Sequence, residues 1–276
     1  MPIIEPANPD LKNLKGIHLW HAGLSTCSQR ARIALDELGH EFESHIVDLH
    51  GGENASEEYQ QIHPKGLVPA MVHDGTLIIE SIDIIDYLDK NLGRRSLRPE
   101  SESDAITELL QRADDFQPLL KVCTFEFLFR AAPPAAEDVI DAFQKNHRNE
   151  WLKEFHRDFR RGFGRDRINE AVDYSHKEFT HLNKLMSDGR PWLAGDQFSL
   201  ADIAWIPNFH RYDIIGWPFG RYPSLNRWFK SASSRDSYRN ALEAWEPQGL
   251  FDIALPKLEE RRIAGDGIET YGCLSS

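Results

Sequence analysis

The chain has 276 residues, enough for one large domain or two small ones, and its 41% hydrophobic and 11% aromatic side chains exclude an intrinsically disordered protein. A net charge of −12 argues against nucleic acid as a partner, because neutralising phosphates takes concentrated Lys and Arg; a local basic pocket for a small anion stays open. The cysteines Cys27, Cys123 and Cys273 are odd in number and far apart, which fits a reducing compartment rather than a disulfide framework. No apolar run reaches the ~18 residues of a membrane span, and Met1-Pro2-Ile3-Ile4-Glu5-Pro6 lacks the basic start of a signal peptide. The expected location is the cytoplasm, with no membrane partner.

Residues 17–21 form the first strand candidate. Ala31, Ala34, Leu35 and Leu38 then recur at i, i+3, i+4 and i+7, one face of a helix that opens at Ser25-Thr26-Cys27-Ser28 and stops at Gly39. Residues 42–47 are a second strand and 50–62 loop and weak helix. Two short strands, 68–72 and 77–79, flank His73-Asp74-Gly75-Thr76, a hairpin signal. Ser81 caps a helix carrying Ile82, Ile85, Leu88 and Leu92. The order is β-α-β-α-β-β-α, a thioredoxin-like arrangement.

After a polar linker the strand patterns cease. Residues 105–130 read as a long helix kinked at Pro118, and Pro133-Pro134 break it. A charged helical stretch at 136–160, a helix at 166–186, an apolar helix at 199–217 containing Pro207 and a last helix at 224–245 follow. The expected fold class is therefore α/β followed by all-α: a thioredoxin-like domain at 14–93, a linker at 94–102, an all-helical domain at 103–250, and a tail at 251–276 that is ordered in part at best.

Four motifs bear on chemistry. Ser25 and Cys27 lie at a helix start, where unpaired N–H groups and the positive end of the helix dipole favour an anion such as a thiolate. Ser25 can donate to a ligand thiolate, or Cys27 can be the nucleophile; the plain alternative is a capping serine beside a small packing residue. Val68-Pro69 heads a strand. With a cis bond Val68 would offer its N–H and C=O to an extended peptide; with a trans bond it is an ordinary strand start. Glu80-Ser81 can hold an α-amino acid head group, the ammonium on Glu80 and the carboxylate at the helix start, or be a simple cap. Ser199-Leu200-Ala201-Asp202 is a capping box, and replacing Asp202 should cost about 1 kcal/mol. None of the twelve histidines makes a helical His-x₃-His pair beside a carboxylate. No metal is expected, and His21, His63, His73 and His210 are read as packing or surface residues.

Taken in order, these motifs resemble one family. Residues 25–35 resemble the active-site helix of serine-type cytosolic glutathione transferases, the zeta class above all. His63-Pro64-Lys65-Gly66-Leu67-Val68-Pro69-Ala70 is similar to the family's proline segment, Glu80-Ser81-Ile82-Asp83 to its γ-glutamyl-binding segment, and residues 199–204 to the capping box of its helical domain. The likeness spans residues 16–245. It implies glutathione as co-substrate, with Ser25 on the glutathione sulfur, Val68 before a cis Pro69 on the cysteinyl backbone, Glu80 and Ser81 on the γ-glutamyl amine and carboxylate, and Lys65 toward the glycyl carboxylate. A free thiol has a pKa of ~8.5, and lowering it by about two units takes roughly 2.7 kcal/mol, the size of one hydroxyl donor plus a helix N-terminus.

The resemblance also implies a homodimer and a small apolar or aromatic electrophile. The aromatic residues around 115–130 and 205–217 (Phe116, Phe125, Phe127, Phe129, Trp205, Phe209, Tyr212, Trp217) would line its pocket or fill the core. The long segment 131–165 and Ser96-Leu97-Arg98-Pro99 resemble bacterial β-aryl etherases, whereas Ser-x-Cys also resembles glutathione-dependent dehalogenases. The expected activity is a glutathione transferase, with β-aryl ether cleavage as one form of it. The alternatives are dehalogenation, isomerisation or thiol–disulfide chemistry through Cys27, and a non-catalytic binding protein on the same fold.

Overall fold

Parallel neighbours need a crossover between them, whereas antiparallel ones can be joined by a tight turn, and the first half of the chain uses both. In the computed structural model, which describes residues 3–275, five strands form one sheet: β1 (Ile3–Ile4), β2 (Ile17–His21), β3 (Glu43–Ile46), β4 (Ala70–His73) and β5 (Thr76–Ile79), in the order β1-β5-β4-β2-β3. Helix α1 (Thr26–Glu37) is the crossover that makes β2 and β3 parallel. The remaining pairs are antiparallel. β4 and β5 turn through Asp74 and Gly75, both left-handed (φ 46° and 81°), as a two-residue hairpin demands. A side chain at Gly75 would also strike the Lys12 carbonyl at 2.4 Å. β1 is too short for any periodicity to reveal, and the sequence gives no sign of it.

A short α2 (Glu57–Gln60) and then α3 (Ser81–Asn91) complete the expected β-α-β-α-β-β-α order. Leu19, Met71, Val72 and Ile78 from the sheet, Ile33 and Leu35 from α1, and Ile84, Ile85 and Leu88 from α3 are fully buried. Burying each such side chain is worth about 1.5–3 kcal/mol.

The rest of the chain is helical: α4 (Ser103–Asp115), α5 (Gln117–Cys123), α6 (Glu137–Asn146), α7 (Glu150–Arg161), α8 (Arg165–Leu185), α9 (Leu200–Ile214), α10 (Pro223–Ser233), α11 (Asp236–Ala241) and α12 (Gln248–Ile263). Pro118 opens α5 rather than kinking one long helix, because proline needs no N–H in a first turn. A π-helical turn, Thr124–Leu128, continues α5. The stretch 136–160 is two helices, parted at His147.

The chain divides into two units. The first holds the residues to Arg94 with Pro134–Arg160 and Asn240–Glu246; the second holds Arg95–Pro133, Arg161–Arg239 and the residues from Pro247. Two segments expected in the helical domain thus group with the sheet. The reason is packing: Phe143 of α6 and Leu152 of α7 form one apolar cluster with Ala55 and Leu67, and Trp245 stands edge-on to His21 at 4.9 Å.

In the second unit Phe179 of α8 is the aromatic hub, 5.6 Å from Phe116, 5.0 Å from Phe209 and 5.3 Å from Trp217 between ring centres. The segment read as a tail carries α12, and beyond it Ile268, Tyr271 and Leu274 are buried. Gly272 and Cys273 donate their N–H groups to Asn169 (2.8 Å) and Asp173 (2.6 Å) of α8.

Candidate active site

Strand register brings three of the four motifs to one end of the sheet. Trp20, near the end of β2, pairs with Ala70 at the start of β4, and Ala70 pairs with Ile79 at the end of β5. The loop to Ser25 therefore leaves, Val68-Pro69 enters and Glu80-Ser81 leaves at the same end. Helices α1 and α3 both begin there, so the positive ends of two helix dipoles face that end. Arg30 of α1 ties the helices together by donating to the Ser81 hydroxyl at 3.1 Å.

Ser25 is the N-cap of α1, extended at φ −71° and ψ 119°. Its hydroxyl oxygen accepts from the Ser28 N–H at 3.2 Å. A hydroxyl has one proton to donate and two lone pairs, so capping uses the oxygen and leaves the O–H for a ligand. Cys27 is the second residue of the same helix and half-buried. The structure contains no disulfide among the described residues.

The Val68–Pro69 bond is cis. Among the described residues no backbone hydrogen bond uses the Val68 N–H or C=O, while its neighbour Leu67 gives its carbonyl to the Tyr59 hydroxyl at 2.6 Å. Glu80 holds a left-handed backbone, φ 65° and ψ 121°. A non-glycine residue there stores of order 1–3 kcal/mol, a feature that concentrates at ligand-binding positions. Its carboxylate meets the Lys65 ammonium at 2.6 Å, with both side chains more than a third exposed. Beneath this pair His63 is buried; burial above all pulls its imidazole down to about 4, Glu80 opposing and Lys65 assisting. His63 is therefore neutral, and its Nδ1 accepts from the Lys65 N–H at 3.3 Å.

Arg32 is the residue that sequence reasoning missed. Its guanidinium is buried and donates to the carbonyls of Ala22 (3.3 Å), Gly23 (2.8 Å) and Ala241 (2.7 Å) and to His21 Nδ1 (3.0 Å). Two of those carbonyls belong to the loop that presents Ser25. Burial lowers Arg32 to about 9, with Glu246 opposing, so it stays charged at neutral pH. The signal was present: Arg32 follows Ser25 by seven residues, the same face of one helix. His21, accepting from Arg32, must carry its proton on Nε2 and donate to Ser44 at 2.8 Å. Burial, then Arg32, then His45 lower it to about 3.

Of the eight aromatic pocket candidates, Phe116, Phe127, Trp205, Phe209, Tyr212 and Trp217 are buried core residues. Phe125 and Phe129, on and just after the π turn, are partly exposed and meet edge to face at 4.9 Å. The capping box is present, and Asp202 does more than cap. Its carboxylate accepts from the Ser199 N–H (2.9 Å), the Ser199 hydroxyl (3.0 Å), the Leu193 N–H (3.0 Å) and the Trp228 indole (2.8 Å).

The chain is similar to known proteins. Residues 24–91 match the family described as glutathione S-transferase, N-terminal domain, and residues 165–231 the one described as glutathione S-transferase, C-terminal domain. Glutathione S-transferase Z2 of Arabidopsis thaliana is 28% identical over 231 residues, 81% of this chain and 89% of its own length. A probable maleylacetoacetate isomerase 2 of Drosophila melanogaster is 25% identical over 233 residues, 81% of this chain and 86% of its own. Among solved structures, the beta-etherase LigF of Sphingobium sp. strain SYK-6 superposes with a TM-score of 0.73 at 24% identity, covering 83% of this chain and 99% of that one. Two family domains in the expected order, a sheet that gathers three of the four sequence motifs at one end, and relatives matched over most of their length lead to one assignment: the chain belongs to the glutathione S-transferase family, whose members use glutathione as co-substrate.

Proposed function

We propose that this transferase activates glutathione through Ser25 and directs its sulfur at a small apolar or aromatic electrophile. The observation that carries the reading is the Ser25 hydroxyl, whose oxygen is occupied by the Ser28 N–H and whose proton is left to donate. In this reading the O–H and the α1 N-terminus stabilise the glutathione thiolate, the Val68 backbone pairs with the cysteinyl residue, and Glu80 takes the γ-glutamyl ammonium in place of the Lys65 ammonium. Ser81 and the first N–H groups of α3 take the γ-glutamyl α-carboxylate, and Lys65 reaches the glycyl carboxylate. The thiolate then forms a C–S bond as the leaving group departs with the electron pair.

A β-aryl ether, whose phenolate leaves as carbon–sulfur bonding forms, is the substrate class the LigF likeness makes first to try. A homodimer in the cytoplasm belongs to the same reading. The place of Cys27 in the first turn of α1 supports a second one, in which the cysteine forms a mixed disulfide with glutathione.

Calorimetry with reduced glutathione and turnover of an activated aryl electrophile test the proposal. Ser25→Ala should keep glutathione affinity within a few-fold and cut turnover by about a hundredfold, the loss of one transition-state hydrogen-bond donor. No binding at millimolar glutathione overturns the whole reading. Full turnover in Ser25→Ala, with a glutathione adduct on Cys27 by intact mass, moves the chemistry to the cysteine.

A further inference from the structure

We infer that the β2–β3 edge of the sheet is a metal site, in which His18, His45 and Glu43 hold one divalent ion of borderline softness such as Zn²⁺. The register makes the cluster. In the parallel pair His18 lies opposite Glu43 and Trp20 opposite His45, and residues two apart on a strand share a face. Three ligands from two strands therefore converge on one face.

The distances fit an ion. His18 Nδ1 and His45 Nε2 are 3.1 Å apart. Two nitrogens each about 2.0–2.1 Å from Zn²⁺ at a near-tetrahedral angle stand about 3.1–3.4 Å apart. Glu43 places its oxygens 3.6 Å from His18 Nδ1 and 3.9 Å from His45 Nε2. Its side chain is 66% exposed, so a small rotation brings it to bonding distance. All three donor atoms already lie within 4.8 Å of one another.

The surroundings orient the ligands. His18 Nε2 is 3.1 Å from the Lys15 carbonyl, which can only accept. The proton is thus on Nε2, and the Nδ1 lone pair points at His45 and Glu43, the outer-shell arrangement that metal-ligating histidines use. The Trp20 indole stacks on the His45 ring at 4.3 Å and 10° and fixes its plane. Two imidazoles and one carboxylate select a transition ion over Mg²⁺ or Ca²⁺, which take oxygen ligands. β3 ends the strand order and has one sheet neighbour. An ion bridging it to β2 clamps an edge strand, and β2 leads directly into the Ser25 loop.

The test is a titration of the full chain with ZnCl₂, after chelation and removal of glutathione, which itself binds zinc. Calorimetry should give one equivalent with a dissociation constant of order micromolar, and saturation should raise the thermal midpoint by several degrees. His45→Ala should abolish that equivalent and Glu43→Gln should weaken it at least about tenfold. His50→Ala, exposed in the loop after β3, should leave it unchanged. With Cu²⁺ as a second probe, electron paramagnetic resonance should show two coupled nitrogens in the wild type and one in His45→Ala. No uptake at 100 micromolar Zn²⁺, equal uptake by His45→Ala, or an unchanged Glu43→Gln overturns the assignment.

Discussion

Ser25 and Arg32 share one face of α1, and the second holds the loop that delivers the first. Arg32 spends three of its donors on carbonyls, and a charged donor to a buried carbonyl contributes about 1.5–3 kcal/mol. Arg32→Met keeps the stem and removes the head, taking the side-chain donor from the Gly23 and Ala241 carbonyls and leaving Ala22 with the Ser25 N–H. Urea denaturation of that variant should show a loss of about 3–5 kcal/mol, and its turnover should fall with glutathione affinity nearly intact, because the loop rather than the peptide site is disturbed. A stable, fully active Arg32→Met would show that the loop holds itself. The Lys65–Glu80 pair is a different kind of contact. Both side chains are substantially exposed, and such pairs contribute about 0–1 kcal/mol, so its place in the fold is better explained by a ligand than by stability.

At the scale of elements, the two buried knots predict unlike losses. Asp202 joins the start of α9 to Leu193 and to Trp228 of α10 through four donors. Asp202→Ala would orphan all four, so denaturation should show a loss of about 3–5 kcal/mol, well above the 1 kcal/mol of a lone cap. The α6–α7 turn braces the loop that carries Lys65. His147 Nδ1 accepts from the Asn149 N–H at 3.1 Å, so Nε2 carries the proton and donates to the Gly66 carbonyl at 3.2 Å; Gln60 adds bonds to Asn146 and Arg148 at 3.1 and 2.8 Å. A side chain at Gly66, left-handed at φ 59°, would meet His147 Nε2 at 2.6 Å. His147→Ala should therefore raise the glutathione KM about tenfold and leave kcat within about twofold; an unchanged KM would detach the hairpin from the site. Legibility in the sequence divides along the same line. Local signals revealed what is local: the Asp74-Gly75 hairpin, the Ser25 cap, the Ser199–Asp202 box and the helical character of 136–160. What they could not reveal is where a helix docks. The apolar residues of α6 and α7 carry the same spacing whether they pack on a sheet or on other helices, and only the fold shows Phe143 and Leu152 beside Ala55. The His18–Glu43–His45 cluster was hidden for a related reason: a search for helical histidine spacing passes over ligands that meet only across two strands.

At the scale of the whole molecule, the two units should answer acid with opposite signs. In the first unit His21 and His63 have folded values of about 3 and about 4, below the ordinary 6.5. Below pH 6.5 the unfolded chain takes up protons that the folded unit refuses. The stability contributed by keeping these rings neutral is fully present above pH 6.5 and is lost as pH falls toward 4 and then 3, at about 1.4 kcal/mol per unit for each group. In the second unit burial raises Asp202 to about 6 from 3.8, its four hydrogen bonds opposing. There the folded state binds the proton more tightly than the unfolded chain, so that contribution grows as pH falls through 6 toward 4. Moving from pH 7 to pH 5 should thus weaken the sheet unit by about 2–4 kcal/mol and leave the α9 knot no weaker. Amide exchange, corrected for its intrinsic pH dependence, reads both at once: protection should drop in β2, α1 and residues 54–69 and persist in α9. His21→Asn, whose amide can still donate to Ser44 and accept from Arg32, should flatten the slope in the first unit. Equal loss of protection in both units, or a slope unchanged in His21→Asn, would mean that the two buried imidazoles do not govern the acid response.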